Sequence, residues 1–157
     1  KEDNATKSIP ISPQRGAFIS IIDSALVETG LADDWLKSLP FGSGYVWADA
    51  DGRRPIIYHQ NNLEKSIHQL GNLIVISGRI VDFISEELTM DTVDNFVEIG
   101  LLHDLKKITI RARVDPELQP KLQGSLDRQL ARRHGSKEGF IVKLQNGRKY
   151  ILCTASV

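Results

Sequence analysis

His103 and Asp104 stand side by side in Leu101-Leu102-His103-Asp104-Leu105-Lys106-Lys107. An imidazole nitrogen and a carboxylate oxygen on adjacent residues can bind one divalent ion. Such an ion could activate a bound water. The bland alternative is a helix end, where the negative end of the helix dipole favours a histidine. His59, after a predicted strand, and His134, beside Gly135, are expected at the surface. No glycine-rich phosphate loop and no nucleophile–base motif is present. The single cysteine, Cys153, rules out an internal disulfide framework and a multi-cysteine zinc site, and its strand-like setting predicts a buried, inert thiol.

The Leu-Leu-His-Asp setting resembles the signature of the HD-domain metal phosphohydrolases. The resemblance covers about residues 64–107. It implies a helix hairpin bearing a divalent metal on His68, His103 and Asp104, and a phosphate-ester substrate. The chain departs from that pattern at Lys106-Lys107, where the family often has Gly-Lys. Only Asp115 and Asp127 are available for the family's distant aspartate.

The second chemical signal is charge. The chain is formally neutral, but residues 81–105 hold seven acids and no Lys or Arg, whereas residues 106–157 carry a net charge of +8. A whole-chain isoelectric point hides this segregation. Arg111 and Arg113 are predicted on an exposed strand face. Arg128, Arg132 and Arg133 fall on or after the next helix, and Lys143, Arg148 and Lys149 edge the last hairpin. Brought together, they would attract nucleic-acid phosphates or an acidic protein surface. The same bases could instead meet the 81–105 acids, within the chain or between copies.

These residues need elements to position them. Residues 15–29 show helical spacing through Phe18, Ile21, Ile22, Ala25 and Leu26, and a short helix follows from about Ala32 to Leu39. Tyr45–Ala48 and Pro55–Tyr58 read as strands about an Asp51-Gly52 turn. From Asn61, a capping-box start leads into two apolar stripes that run to Leu88 and predict a long helix. Leu73-Ile74-Val75-Ile76 also fits a short buried strand. A second helix, with Val93, Phe96 and Val97 on one face, would complete an antiparallel helix pair. Lys107 to Val114 alternates as a half-buried strand, with Ile108, Ile110, Ala112 and Val114 on one face. A helix follows through Leu118, Leu122, Leu126 and Leu130, with Pro120 delaying its start. Phe140–Leu144 and Lys149–Cys153 form a hairpin about Asn146-Gly147.

The expected fold class is α+β: N-terminal helices and a small hairpin, a central helix pair, then a strand–helix–hairpin module forming a small antiparallel sheet. Residues 1–14 read as a linker or tail, and 15–157 as one domain. At 157 residues, with 41% hydrophobic and 25% charged, the chain can bury a real core. No apolar run reaches the ~18 residues of a membrane span. The functional expectation is a non-catalytic binding domain of a larger intracellular, cytoplasmic protein, without cofactor, contacting nucleic acid or an acidic protein surface. The alternatives are the HD-like metal-dependent phosphohydrolase, with its divalent metal, and a self-association module forming a homo-oligomer.

Overall fold

The computed structural model describes residues 14–38, 44–48, 55–60, 73–143 and 150–155. Among them are seven strands: β1 Phe18–Ile22, β2 Tyr45–Ala48, β3 Ile56–His59, β4 Ile74–Ile84, β5 Leu105–Ile110, β6 Lys137–Lys143 and β7 Tyr150–Ala155. Four helices accompany them: α1 Ser24–Glu28, α2 Ala32–Lys37, α3 Val93–Leu102 and α4 Gln119–Ala131. The strands make one mixed sheet in the order β2-β3-β1-β4-β7-β6-β5. Neighbours are antiparallel except β5 and β6, which are parallel.

This sheet overturns the expected small antiparallel sheet with helical pairs. Residues 15–29 are not one helix. Phe18–Ile22 is a strand buried along its whole length, between β3 and β4, and only the short α1 follows. A short run that is apolar on every side carries no period that tells strand from helix. Burial on both faces of a central strand produces such a run. The central helix pair gives way as well. Ile74–Ile84 forms the eleven-residue β4, with β1 on one side and β7 on the other. Its β-branched residues suit a pleated surface. Gly78, awkward in a helix, has a reason here: a Cβ would lie 2.5 Å from the Thr154 carbonyl oxygen and 2.7 Å from the Phe140 ring. The predicted helix start at Asn61 lies outside the described residues.

Other expectations hold. β2 and β3 pair antiparallel, as do β6 and β7, although both predicted turns fall outside the described residues. Helix α3 buries Val93, Phe96 and Val97. Helix α4 begins at Gln119, so Pro120 sits in the first turn, where its missing N–H costs nothing.

Three apolar clusters hold the sheet. Val93, Phe96 and Val97 of α3 and Leu122, Leu126 and Leu130 of α4 pack on Leu105, Ile108, Ile141 and Leu152. Alternate residues of the same strands, including Phe140, Val142, Ile151 and Cys153, join Ile19, Ile21 and Tyr58 in a second cluster. Leu36 of α2 meets Ile22 and Ile57 in the third.

β5 is an edge strand, and its outer side is occupied by a side chain from α4. The Gln123 amide oxygen accepts from Ile110 N–H at 2.9 Å, and its nitrogen donates to the Ile108 carbonyl at 2.8 Å.

Candidate nucleic-acid interface

The site is built by the β5–α4–β6 crossover. Parallel pairing matches Leu105 with Lys137 and Lys107 with Glu138, so both strands begin at the same end of the sheet. Helix α3 finishes at that end, capped by His103, and α4 finishes there too, capped by Arg132. Two basic runs far apart in sequence are thereby brought together. Lys106 and Lys107 come from the start of β5. Arg132, Arg133 and His134 follow α4, and Lys137 opens β6. All six are exposed. The carbonyl ends of both helices favour cations there.

Asp104 holds these segments. Its φ of +62° puts a non-glycine residue in the left-handed region, which Asp tolerates better than most. Its carbonyl accepts the N–H groups of Ser136 and Lys137, each at 2.9 Å. Its carboxylate accepts both the N–H and the hydroxyl of Ser136. Three acids meet this end of the sheet: Asp104, tied to Ser136; Glu138, the register partner of Lys107; and Glu98, 3.6 Å from Arg133. That last pair is half-exposed on both sides, and pairs of this kind contribute little. Lys106, Lys107, Arg132 and Lys137 form no ion pair among the described residues.

Among the described residues, the basic side chains expected to converge do not all meet. Arg111 and Arg113 follow the last residue of β5, and Lys143 is the last of β6. At about 3.3 Å per residue, the two ends of β5 are roughly 17 Å apart. Lys143 is also committed: its ammonium meets the Glu87 carboxylate at 2.9 Å and lies 5.2 Å from the Tyr150 ring centroid. The Lys143 and Tyr150 hydrogen bonds together hold Glu87 below the usual carboxylate range, against the opposing effect of burial. Arg148 and Lys149 lie outside the described residues. Arg128 remains, on the exposed side of α4. Lys121, Arg128 and Arg132 recur at i, i+7 and i+11, which at 100° per residue places them in one stripe leading to the cluster.

Lys106, Lys107, Lys121 and Lys137 were missed by sequence reasoning because it made β5 and β6 members of an antiparallel sheet. The signal was present: two strands joined through a helix of this length form a βαβ unit, which demands parallel strands.

Two of the proposed metal ligands, His103 and Asp104, have other partners. His103 Nε2 lies 2.9 Å from the Asp82 carboxylate, which also accepts from Arg15 at 2.8 Å. Burial pushes the Asp82 pKa upward, but hydrogen bonds from His103, the Phe83 N–H and Arg15 together outweigh it and hold it low. His103 thus ties the end of α3 to β4, while Asp104 ties the next turn to β6. His68 lies outside the described residues. Among the described residues, no group of three His, Cys, Asp or Glu side chains could hold a metal ion. Nor is any helix there long and apolar enough to cross a membrane.

His59 is not at the surface as expected. It belongs to β3 and is fully buried, with Nε2 2.7 Å from Ser20 Oγ, which is itself 2.8 Å from Ser77 Oγ. A serine–histidine contact can activate a nucleophile. Here all three residues are shut off from solvent, under a Phe18 ring stacked 5.8 Å from the His59 ring. The contact serves as a polar seam across β3, β1 and β4.

No family model matches the chain, and no curated protein matches it. Among solved structures, the crystal structure of TrmN from Thermus thermophilus is similar at a TM-score of 0.44 and 11% identity. The likeness covers 90% of this chain and 46% of that one, so the chain spans less than half that protein's length. A likeness at this level transfers no activity.

Proposed function

We propose that the chain is a nucleic-acid-contacting module that works by binding, and that its contact surface is the cationic end of the β5–α4–β6 unit. The observation that carries this reading is the parallel pairing of β5 with β6. It gathers Lys106, Lys107, Arg132, Arg133 and Lys137 at one end of the sheet, and among the described residues all but Arg133 form no ion pair. Such an array neutralises phosphates and releases counterions, and affinity then falls steeply with salt. The reading also puts the chain inside the cell, where nucleic acid and a reduced, buried Cys153 both belong.

The test is a binding titration at several salt concentrations. Changing Lys106, Lys107 and Lys137 to Gln should flatten the log–log slope by about 0.9 for each duplex-DNA phosphate that is no longer neutralised. Arg111 and Arg113 changed to Gln, at the far end of the same strand, should matter much less. Equal effects from the two ends would sink the assignment of the surface. Absence of binding at low salt would sink the function. Capture of acidic polypeptide alone, or association of copies without nucleic acid, would move the partner to a protein.

A further inference from the structure

We infer that this surface fits a double-stranded nucleic acid rather than a single strand; the inference rests on the reading just proposed. Proteins that hold single strands combine a basic track with aromatic side chains on which bases stack, each stacked base adding about 1–3 kcal/mol. Among the described residues, the two ingredients stand apart. The exposed large apolar side chains among the described residues are Val27, Leu31, Met90, Leu102 and Leu118, and none is aromatic. Trp35 and Phe83 are partly buried against the third and second apolar clusters. Tyr45 and Trp47 are partly exposed too, but both donate to the Asp33 carboxylate, at 2.6 and 2.9 Å. Both lie on β2, the opposite edge of the sheet from β5. Six strand spacings of about 4.8 Å separate those edges, roughly 29 Å along the sheet.

Without stacking, attraction to phosphates must carry the affinity, and it grows with phosphate density. A duplex presents one charge per about 1.7 Å of axis, and one strand half that. The geometry of the cations favours the same partner. Lys121 and Arg132 are eleven residues apart on one helical stripe, roughly 16.5 Å at 1.5 Å per residue. Arg128 between them folds back over Gly124, where a Cβ would stand 3.2 Å from its Nη1. This row is straight and fixed to a packed helix, and it runs into the second group at Lys106, Lys107 and Lys137. Two fixed sets of cations suit the fixed phosphate rows of a duplex. A flexible single strand would have to be ordered onto them.

The test is fluorescence anisotropy of the whole chain with a labelled 20-base-pair duplex and, separately, each of its strands, in DNA and in RNA. At equal salt, one duplex form or both should bind about tenfold tighter than the strands or more, reflecting their charge density. Changing Lys121, Arg128 and Arg132 to Gln should flatten the DNA-duplex salt slope by about 2.7 and alter the strands far less. Arg132→Gln alone repeats the comparison should the triple variant fold poorly by circular dichroism. Strands that bind as tightly as their duplexes would overturn the inference and leave the proposed function standing. Failure of every nucleic acid to bind at low salt would remove the proposed function itself.

Discussion

Tyr58 carries a hydroxyl without a hydrogen-bond partner among the described residues, inside a cluster of Ile19, Ile21, Ile80 and Cys153. Burial raises its pKa to about 12. A buried polar group without a partner costs about 1–3 kcal/mol, whereas an isosteric apolar replacement avoids that cost. Tyr58→Phe should therefore stabilise the chain by about 1 kcal/mol, raising Tm by roughly 2–4 °C. A lower Tm would mean that the hydroxyl has a partner after all. Asp82 is the converse case, a carboxylate with three donors. Its folded pKa lies below the unfolded one, so its contribution is fully present above about pH 4 and fades as acid protonates it. Melting curves between about pH 6 and 2 should fall less steeply for Asp82→Asn than for the wild-type chain. Parallel curves would show that Asp82 does not govern acid sensitivity.

Helix α4 offers a test of its own. Gly124 lies in its interior, and an added methyl would meet only the tip of the flexible Arg128 side chain. Gly124→Ala should stabilise the fold by about 0.5–1 kcal/mol, read by urea unfolding, because Gly is the poorer helix former. A drop in stability would mean that Arg128 cannot yield. Elements like α4, where Leu122, Leu126 and Leu130 mark one face, were legible from sequence. So were the strands of the two antiparallel pairs β2–β3 and β6–β7, which the Asp-Gly and Asn-Gly dipeptides signal in the sequence. Phe18–Ile22 was not, because a central strand covered on both faces loses the alternation that identifies a strand; of Ile74–Ile84 only the start showed, in the strand alternative at Leu73-Ile74-Val75-Ile76. Of the candidate site, Arg132 and Arg133 were legible as basic residues at a helix end. Their meeting with Lys106, Lys107 and Lys137 depended on strand direction, which charge and periodicity do not encode. His103 and Asp104 were legible as a pair, but their partners, Asp82 and Ser136, come from other elements.

At the scale of the whole molecule, the acidic and basic halves are partly reconciled within the chain. Across that divide Glu87 meets Lys143 and Glu98 approaches Arg133, while Asp82 is met from outside the basic half, by Arg15 and His103. The remaining bases supply the surplus on which the proposed contact depends. The arrangement also settles how far the sheet extends. A peptide group of an eighth strand would present one carbonyl and one N–H to β5, and the Gln123 amide presents the same pair in miniature. In the language of polymers, it acts as a chain terminator: the growing end of the sheet is closed by a monomer that cannot propagate. Gln123→Ala would reopen that end at a cost of about 1–2 kcal/mol in stability, and a bare edge pairs readily with other chains. Light scattering should then rise with protein concentration for the variant at values where the wild-type chain stays clear. A variant that loses stability yet remains equally clear would show that the edge is closed by something other than this side chain.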